Sequence, residues 1–307
     1  MYNGFMEFKD VEKARITYHD KLVHAWTIVA IISLIIGGLT FAFASFIAIF
    51  IALFVFAFGA IIIAFVTRKE AEAYNTAYKD YFIRRNLASV FTNLVYQHDV
   101  GLNRNLLRAS EMVHTGDVYT SNDLAQGTYK GVNFVQADVH IQEEYTDSDG
   151  NTQYVTIFKG KYMVFEFPKK FSFKLQLIGK KFGRSARVPG KDKTTGRKMS
   201  KLSTESVEFN KIFKIYAQDG FEAFYLLDPA IMEKIQKISE IHKNRVMFGF
   251  LNNTLLIGLN DGKDSFEAPK SSKPIDEKAE IEKVSNEIRV ITDFVDTLSL
   301  DRKLFIN

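Results

Sequence analysis

From Leu22 to Thr67 the chain carries no Asp, Glu, Lys or Arg, and His24 is the only one of those 46 residues that can take a charge. No element of a soluble core is expected to look like this. As one continuous helix the run would be roughly 69 Å long, more than twice the hydrocarbon core of about 30 Å, so the chain is expected to fold back within it. Two spans of about 20 residues fit, with the reversal between Gly37 and Ser45, where Gly37, Gly38, Thr40 and Ser45 interrupt the Ile, Leu and Phe runs. A cleaved signal peptide has an apolar region of about 7–15 residues. This run is far longer and follows a charged lead of 21 residues, so it is expected to remain as an anchor.

The flanks set the orientation. Lys9, Lys13, Arg15 and Lys21 precede the run, and Arg68, Lys69, Arg84 and Arg85 follow it. Positive charge stays on the cytoplasmic side, which predicts a multi-pass protein of the cell membrane with both termini cytoplasmic. His24 and Trp26 stand where amphipathic rings meet headgroups. The absence of cysteine excludes disulfides, thiolate metal sites and a cysteine nucleophile. The organisation expected is a cytoplasmic N-terminal segment at 1–21, a transmembrane helical hairpin at 22–67, a juxtamembrane helix at 68–96 and one cytoplasmic α+β domain at 97–307.

Within 68–96, Tyr74, Tyr78, Tyr81, Phe82, Leu87, Phe91 and Leu94 recur at helical steps. A short helix is expected over Asn103–His114 and a loop from Asp123 to Gly131. Val132–Ile141 and Gln153–Phe158 alternate as strands about the turn formers of 145–152, Gly160 interrupts, and Lys161–Phe167 and Phe171–Ile178 add further strands. Phe221–Leu227 reads as a short helix, and Asp228 with Pro229 as the N-cap and first position of the next. Leu251-Asn252-Asn253 marks a hairpin between Val246–Phe250 and Thr254–Gly258. A last helix, about Ile275–Leu298, carries Ile281, Val284, Ile288, Ile291, Val295 and Leu298 on one side. These elements predict an α+β fold with a mainly antiparallel sheet covered by the helices near Pro229 and Ile281.

Net charge is +4, yet Lys180, Lys181, Arg184, Arg187, Lys191, Lys193, Arg197, Lys198 and Lys201 are opposed only by Asp192. Near an inner leaflet each cation contributes about 1 kcal/mol of attraction to anionic lipid. The plainer reading is a solvated strand connection. Nucleic acid is not expected, because Phe182 is the segment's sole aromatic for base stacking.

Catalytic signals are missing. There is no G-x-x-x-x-G-K-[ST], G-x-G-x-x-G after a strand, G-x-S-x-G or H-E-x-x-H. Asp147-Ser-Asp-Gly-Asn-Thr152 has its glycine too early for a calcium loop and lacks the closing glutamate. The adjacent carboxylates Glu143/Glu144 and Asp276/Glu277 stand where acids are usually solvated. No catalytic residue, metal ligand or cofactor is expected.

Asp123 followed by Gly127, the run Phe158-Lys-Gly-Lys-Tyr-Met-Val-Phe-Glu-Phe167, Glu205-Ser-Val-Glu-Phe-Asn-Lys-Ile-Phe213 and Leu227-Asp-Pro-Ala-Ile-Met232 together resemble bacterial membrane-anchored proteins of the domain of unknown function 3137 (DUF3137) family. The resemblance runs from about Arg68 onward. It implies paired N-terminal membrane helices and an association with LemA-type membrane proteins, and supplies no catalytic residue. The basic segment departs from the family pattern. Phe158, Gly160, Phe209, Phe213 and Ile215 suit strand positions, and Glu205 and Asn210 are the polar members of the motifs.

The function expected is a non-enzymatic interaction module held at the inner membrane face, binding a protein partner or anionic lipid headgroups. An enzyme of unrecognised class acting on a membrane-proximal substrate is the alternative and requires convergent polar groups with shifted pKa values.

Overall fold

A computed structural model describes residues 6–41, 47–166, 173–191 and 196–298. The chain divides into two compact units, one of residues 1–85 with 267–284 and the other of residues 86–266 with 285–307.

In the first unit, α1 (Phe8–Phe41) is followed by α2 (Ile47–Val66). The stretch Phe8–Gly38 is long and apolar enough to cross a membrane, and none of its apolar part is buried within the protein. Gly37 and Gly38 lie inside α1, so the helix continues past both of these glycines to Phe41. Nothing stands within 4 Å of either position where a side chain would project. Ser45 lies outside the described residues. The two helices run against each other. Trp26 meets Phe56 at 5.4 Å between ring centroids, and Gly59 lets a Val29 methyl approach where a Cβ would be 2.5 Å away.

The lead before the apolar run is folded. Arg15 is buried, pairs with Glu12 at 2.8 Å and donates to the Ser271 carbonyl, while Glu12 accepts from the Ile275 amide at 2.9 Å. Lys21 pairs with Glu70 of α3 (Arg68–Tyr78) at 2.6 Å. After α3 a π-helical turn, Lys79–Arg84, widens the spiral so that Tyr81, Phe82 and Ile83 are all buried in succession. Tyr78 and Tyr81 donate to Glu280 and Glu277.

Helix α4 (Arg85–Val90) ends sooner than its pattern suggests, because Thr92–Gln97 pairs antiparallel as β1 and buries Tyr96. In the second unit a single antiparallel sheet has the order β1-β2-β3-β4-β9-β8-β5-β7-β6. The strands are β2 (Val118–Tyr129), β3 (Val132–Thr146), β4 (Thr152–Glu166), β5 (Leu175–Gly179), β6 (Ser200–Leu202), β7 (Phe213–Ala217), β8 (Val246–Leu251) and β9 (Thr254–Leu259). Two punctuation signals are overruled. The expected loop at Asp123–Gly131 is mostly strand: Asp123 has φ +56° in a bulge of β2, and the turn itself is only Lys130-Gly131, both with positive φ. Gly160, expected to divide two strands, lies within β4, where β9 passes too closely for a side chain.

Both sheet faces are covered. On one, Ala137, Val139, Ile141, Phe158 and Tyr162 pack with Leu107 of α5 (Arg104–Ser110), Met112 and Phe182. On the other, Phe294 of α9 (Glu277–Leu298) meets Phe165 and Phe248. Asp228 caps α8 (Pro229–Ile241) by accepting from the Ile231 amide at 2.8 Å, as expected. Phe209, expected on a strand, is buried on α6 (Val207–Ile212). Ile281, expected on the apolar face of α9, is exposed, and Phe294 is buried.

Candidate functional site

Strands β5 and β6 both run antiparallel to β7, which lies between them. The chain joining β5 to β6 must therefore return along the length of β7, and the basic segment is that return. Its path is tethered. Phe182 is fully buried and lies 5.8 Å from Phe158. Ser185 accepts from the His114 amide at 2.7 Å, the Arg187 amide donates to Met112 at 2.9 Å, and Met199 is buried. Lys180, Lys181, Arg184, Arg187, Lys191, Arg197, Lys198 and Lys201 are exposed, and Lys193 lies outside the described residues. The segment thus holds its apolar residues inward and its cations outward.

Sequence reasoning did not place an aromatic partner beside these cations. Helix α7 (Gly220–Leu226) leaves the end of β7 at which β6 begins, with Leu202 next to Gly220. Asp219 caps it by accepting from the Phe221 and Glu222 amides. Phe221 and Tyr225 are 83% and 75% exposed, and Phe224 and Val207 are exposed as well. Lys201 in β6 and Lys211 and Lys214 around β7 point outward too. Phe221, Phe224 and Tyr225 thus stand in solvent on the helix that follows β7.

The same domain hides a charged cluster that no motif announced. Asp138 of β3 and Lys161 of β4 are cross-strand partners, and the β2 bulge brings in Asp123 beside them. Asp123, Asp138 and Lys161 are 1%, 4% and 6% exposed. The Lys161 ammonium lies 3.9 Å from both Asp138 and Glu287 and 4.3 Å above the Phe266 ring. Asp123 accepts from the Tyr96 hydroxyl and, at 2.8 Å, from Asn122. Asp138 accepts from the Ser265 amide at 2.9 Å through one oxygen, while its other oxygen and Lys161 Nζ have no hydrogen-bond partner among the described residues. Burial pushes the Asp138 carboxyl up to about 7, with Asp123 and Asp264 pushing the same way and Lys161 and the Ser265 amide opposing.

The polar motif residues have local roles. Asn210 clamps Thr204, accepting from its amide at 3.0 Å and donating to its carbonyl at 2.7 Å, and Glu205 is exposed. Asp147 stitches its own turn by accepting from the Asp149 and Asn151 amides.

Residues 156–300 match the sequence model of the family described as "Protein of unknown function (DUF3137)", the family the motifs resemble. No curated protein matches the chain. Among solved structures, the chain is similar to the crystal structure of the mycobacterial trehalose monomycolate transport factor A, TtfA, with 10% identity over 74% of this chain and 94% of that one. The TM-score of 0.38 does not establish a shared fold.

Proposed function

We propose that the protein is a membrane-anchored interaction module whose α+β domain engages anionic lipid at the inner face of the cell membrane. The observation that carries this is the juxtaposition of the tethered, outward-facing basic crossover with the exposed aromatics of α7. Cations attract anionic headgroups at about 1 kcal/mol each, and Phe and Tyr side chains settle at the headgroup boundary. A chain already held to the bilayer raises the local concentration of that surface, so weak contacts suffice.

In this reading α1 and α2 are both spans, and the basic flanks stay cytoplasmic. The uncharged length supports two crossings, and so does the close approach of α1 and α2. A chain without cysteine makes the test direct. The Ser45→Cys and Ser203→Cys variants are each exposed to a membrane-impermeant maleimide in sealed right-side-out and inside-out vesicles. Opposite-sided labelling is expected, with Ser203→Cys reacting in inside-out vesicles. Labelling of both from one face contradicts the two-span reading.

A further inference from the structure

We infer that Asp123, Asp138 and Asp264 form a binding site for a hard divalent cation of the Mg2+ class. The three residues offer carboxylate oxygens that all lie within 4.8 Å of one another. Acidic proximity alone would not suffice. The further observation is the Asp138 oxygen that is enclosed and has no hydrogen-bond partner among the described residues, in a residue 4% exposed. Leaving such an acceptor unsatisfied is costly, the more so for a charged group.

Lys161 does not fill the role. It stands 3.9 Å from Asp138, beyond hydrogen-bond reach, and is shared with Glu287 at the same distance. Lys161 pairs with Asp138 and Glu287, and the carboxylates of Asp123 and Asp264 beside Asp138 add an excess of negative charge. A divalent cation would offset most of that excess, with Lys161 as an outer counter-charge.

Outer contacts orient the ligands. Tyr96 and Asn122 hold Asp123, the Ser265 amide holds Asp138, and the bulge fixes the Asp123 backbone. Asp264 is exposed and provides a route from solvent. An all-oxygen donor set selects hard cations, and three protein carboxylates leave positions for the waters that Mg2+ retains.

The test titrates the full-length detergent-solubilised protein with Mn2+ at pH 8, following the loss of the free-ion paramagnetic resonance signal, and then competes with Mg2+. One saturable Mn2+ per chain, displaced by Mg2+, is expected. Asp138→Asn and Asp264→Asn should each weaken binding at least about tenfold, roughly 1.4 kcal/mol. Asp149→Asn, in the exposed hairpin, should leave it unchanged. Asp264→Asn alters an exposed side chain and keeps the test decisive if Asp138→Asn fails to fold. Absence of saturable binding, or affinity unchanged in Asp264→Asn, overturns the site and leaves the cluster a purely internal charge network.

Discussion

Lys161→Met is expected to cost about 3–5 kcal/mol of folding stability, read as a fall of roughly 10 °C in the thermal unfolding midpoint of the detergent-solubilised protein. Methionine keeps most of the volume and the contact with Phe266, so lost packing is a minor part. The major part is electrostatic. Asp138 and Glu287 would lose the only ammonium near them among the described residues, with Asp138 almost wholly enclosed. A loss this size is a large share of the 5–15 kcal/mol that separates folded from unfolded states. Removing both charges should be gentler than removing Lys161 alone, because the enclosed Asp138 carboxylate is then no longer left uncompensated, while Glu287 is more exposed. The double variant Asp138→Asn with Lys161→Met is therefore expected to recover much of the loss. A cost below about 1 kcal/mol for Lys161→Met would mean the ammonium contributes little to holding these carboxylates.

Gly160→Ala is expected to be comparably damaging for a steric reason. At Gly160 φ is +151°, and a Cβ there would sit 2.0 Å from the Leu259 carbonyl oxygen. The strand must either distort or withdraw from β9, and the β4–β9 pairing joins the two parts of the sheet. Strain at such a backbone position costs about 1–3 kcal/mol, and forced overpacking adds about as much. Loss of about 4 kcal/mol, or failure to accumulate folded protein, is expected. Gly190→Ala provides the control, since nothing lies within 4 Å of its Cβ position, and it should shift the midpoint little.

The same glycine shows why some of the fold was legible in sequence and some was not. A glycine between apolar runs reads as a break, and only the approach of β9 explains why glycine sits inside β4. Asp123 misleads in the same way, since a positive φ in a bulge uses the residue types that loops use. The charged cluster was illegible for a deeper reason. Asp123, Asp138 and Lys161 sit on three strands, and pairing register alone makes them neighbours. Asp264 lies in the stretch between β9 and α9, where no motif marks it. Strand alternation gave no help, because both faces of the sheet are covered and Lys161 and Tyr162 are both buried.

What did show through was local. The Asp228-Pro229 cap and the Asn252-Asn253 hairpin depend on adjacent residues, and each appears where the sequence placed it. The cationic segment was visible as charge, but the inward anchors Phe182 and Met199 and the exposed rings of α7 emerged only with the fold.

Those rings offer the most direct test of the proposed lipid contact. In the full-length protein, which contains no native cysteine, Tyr225→Cys would be labelled with an environment-sensitive fluorophore and reconstituted into vesicles of phosphatidylcholine with or without phosphatidylglycerol. A blue-shifted emission, quenched by brominated acyl chains, is expected only in the anionic vesicles. High salt and the Lys198→Gln/Lys201→Gln variant should both reverse it, as screening and charge removal require. Identical emission in neutral and anionic vesicles would rule out the lipid contact and leave the basic crossover a solvated connection between β5 and β6.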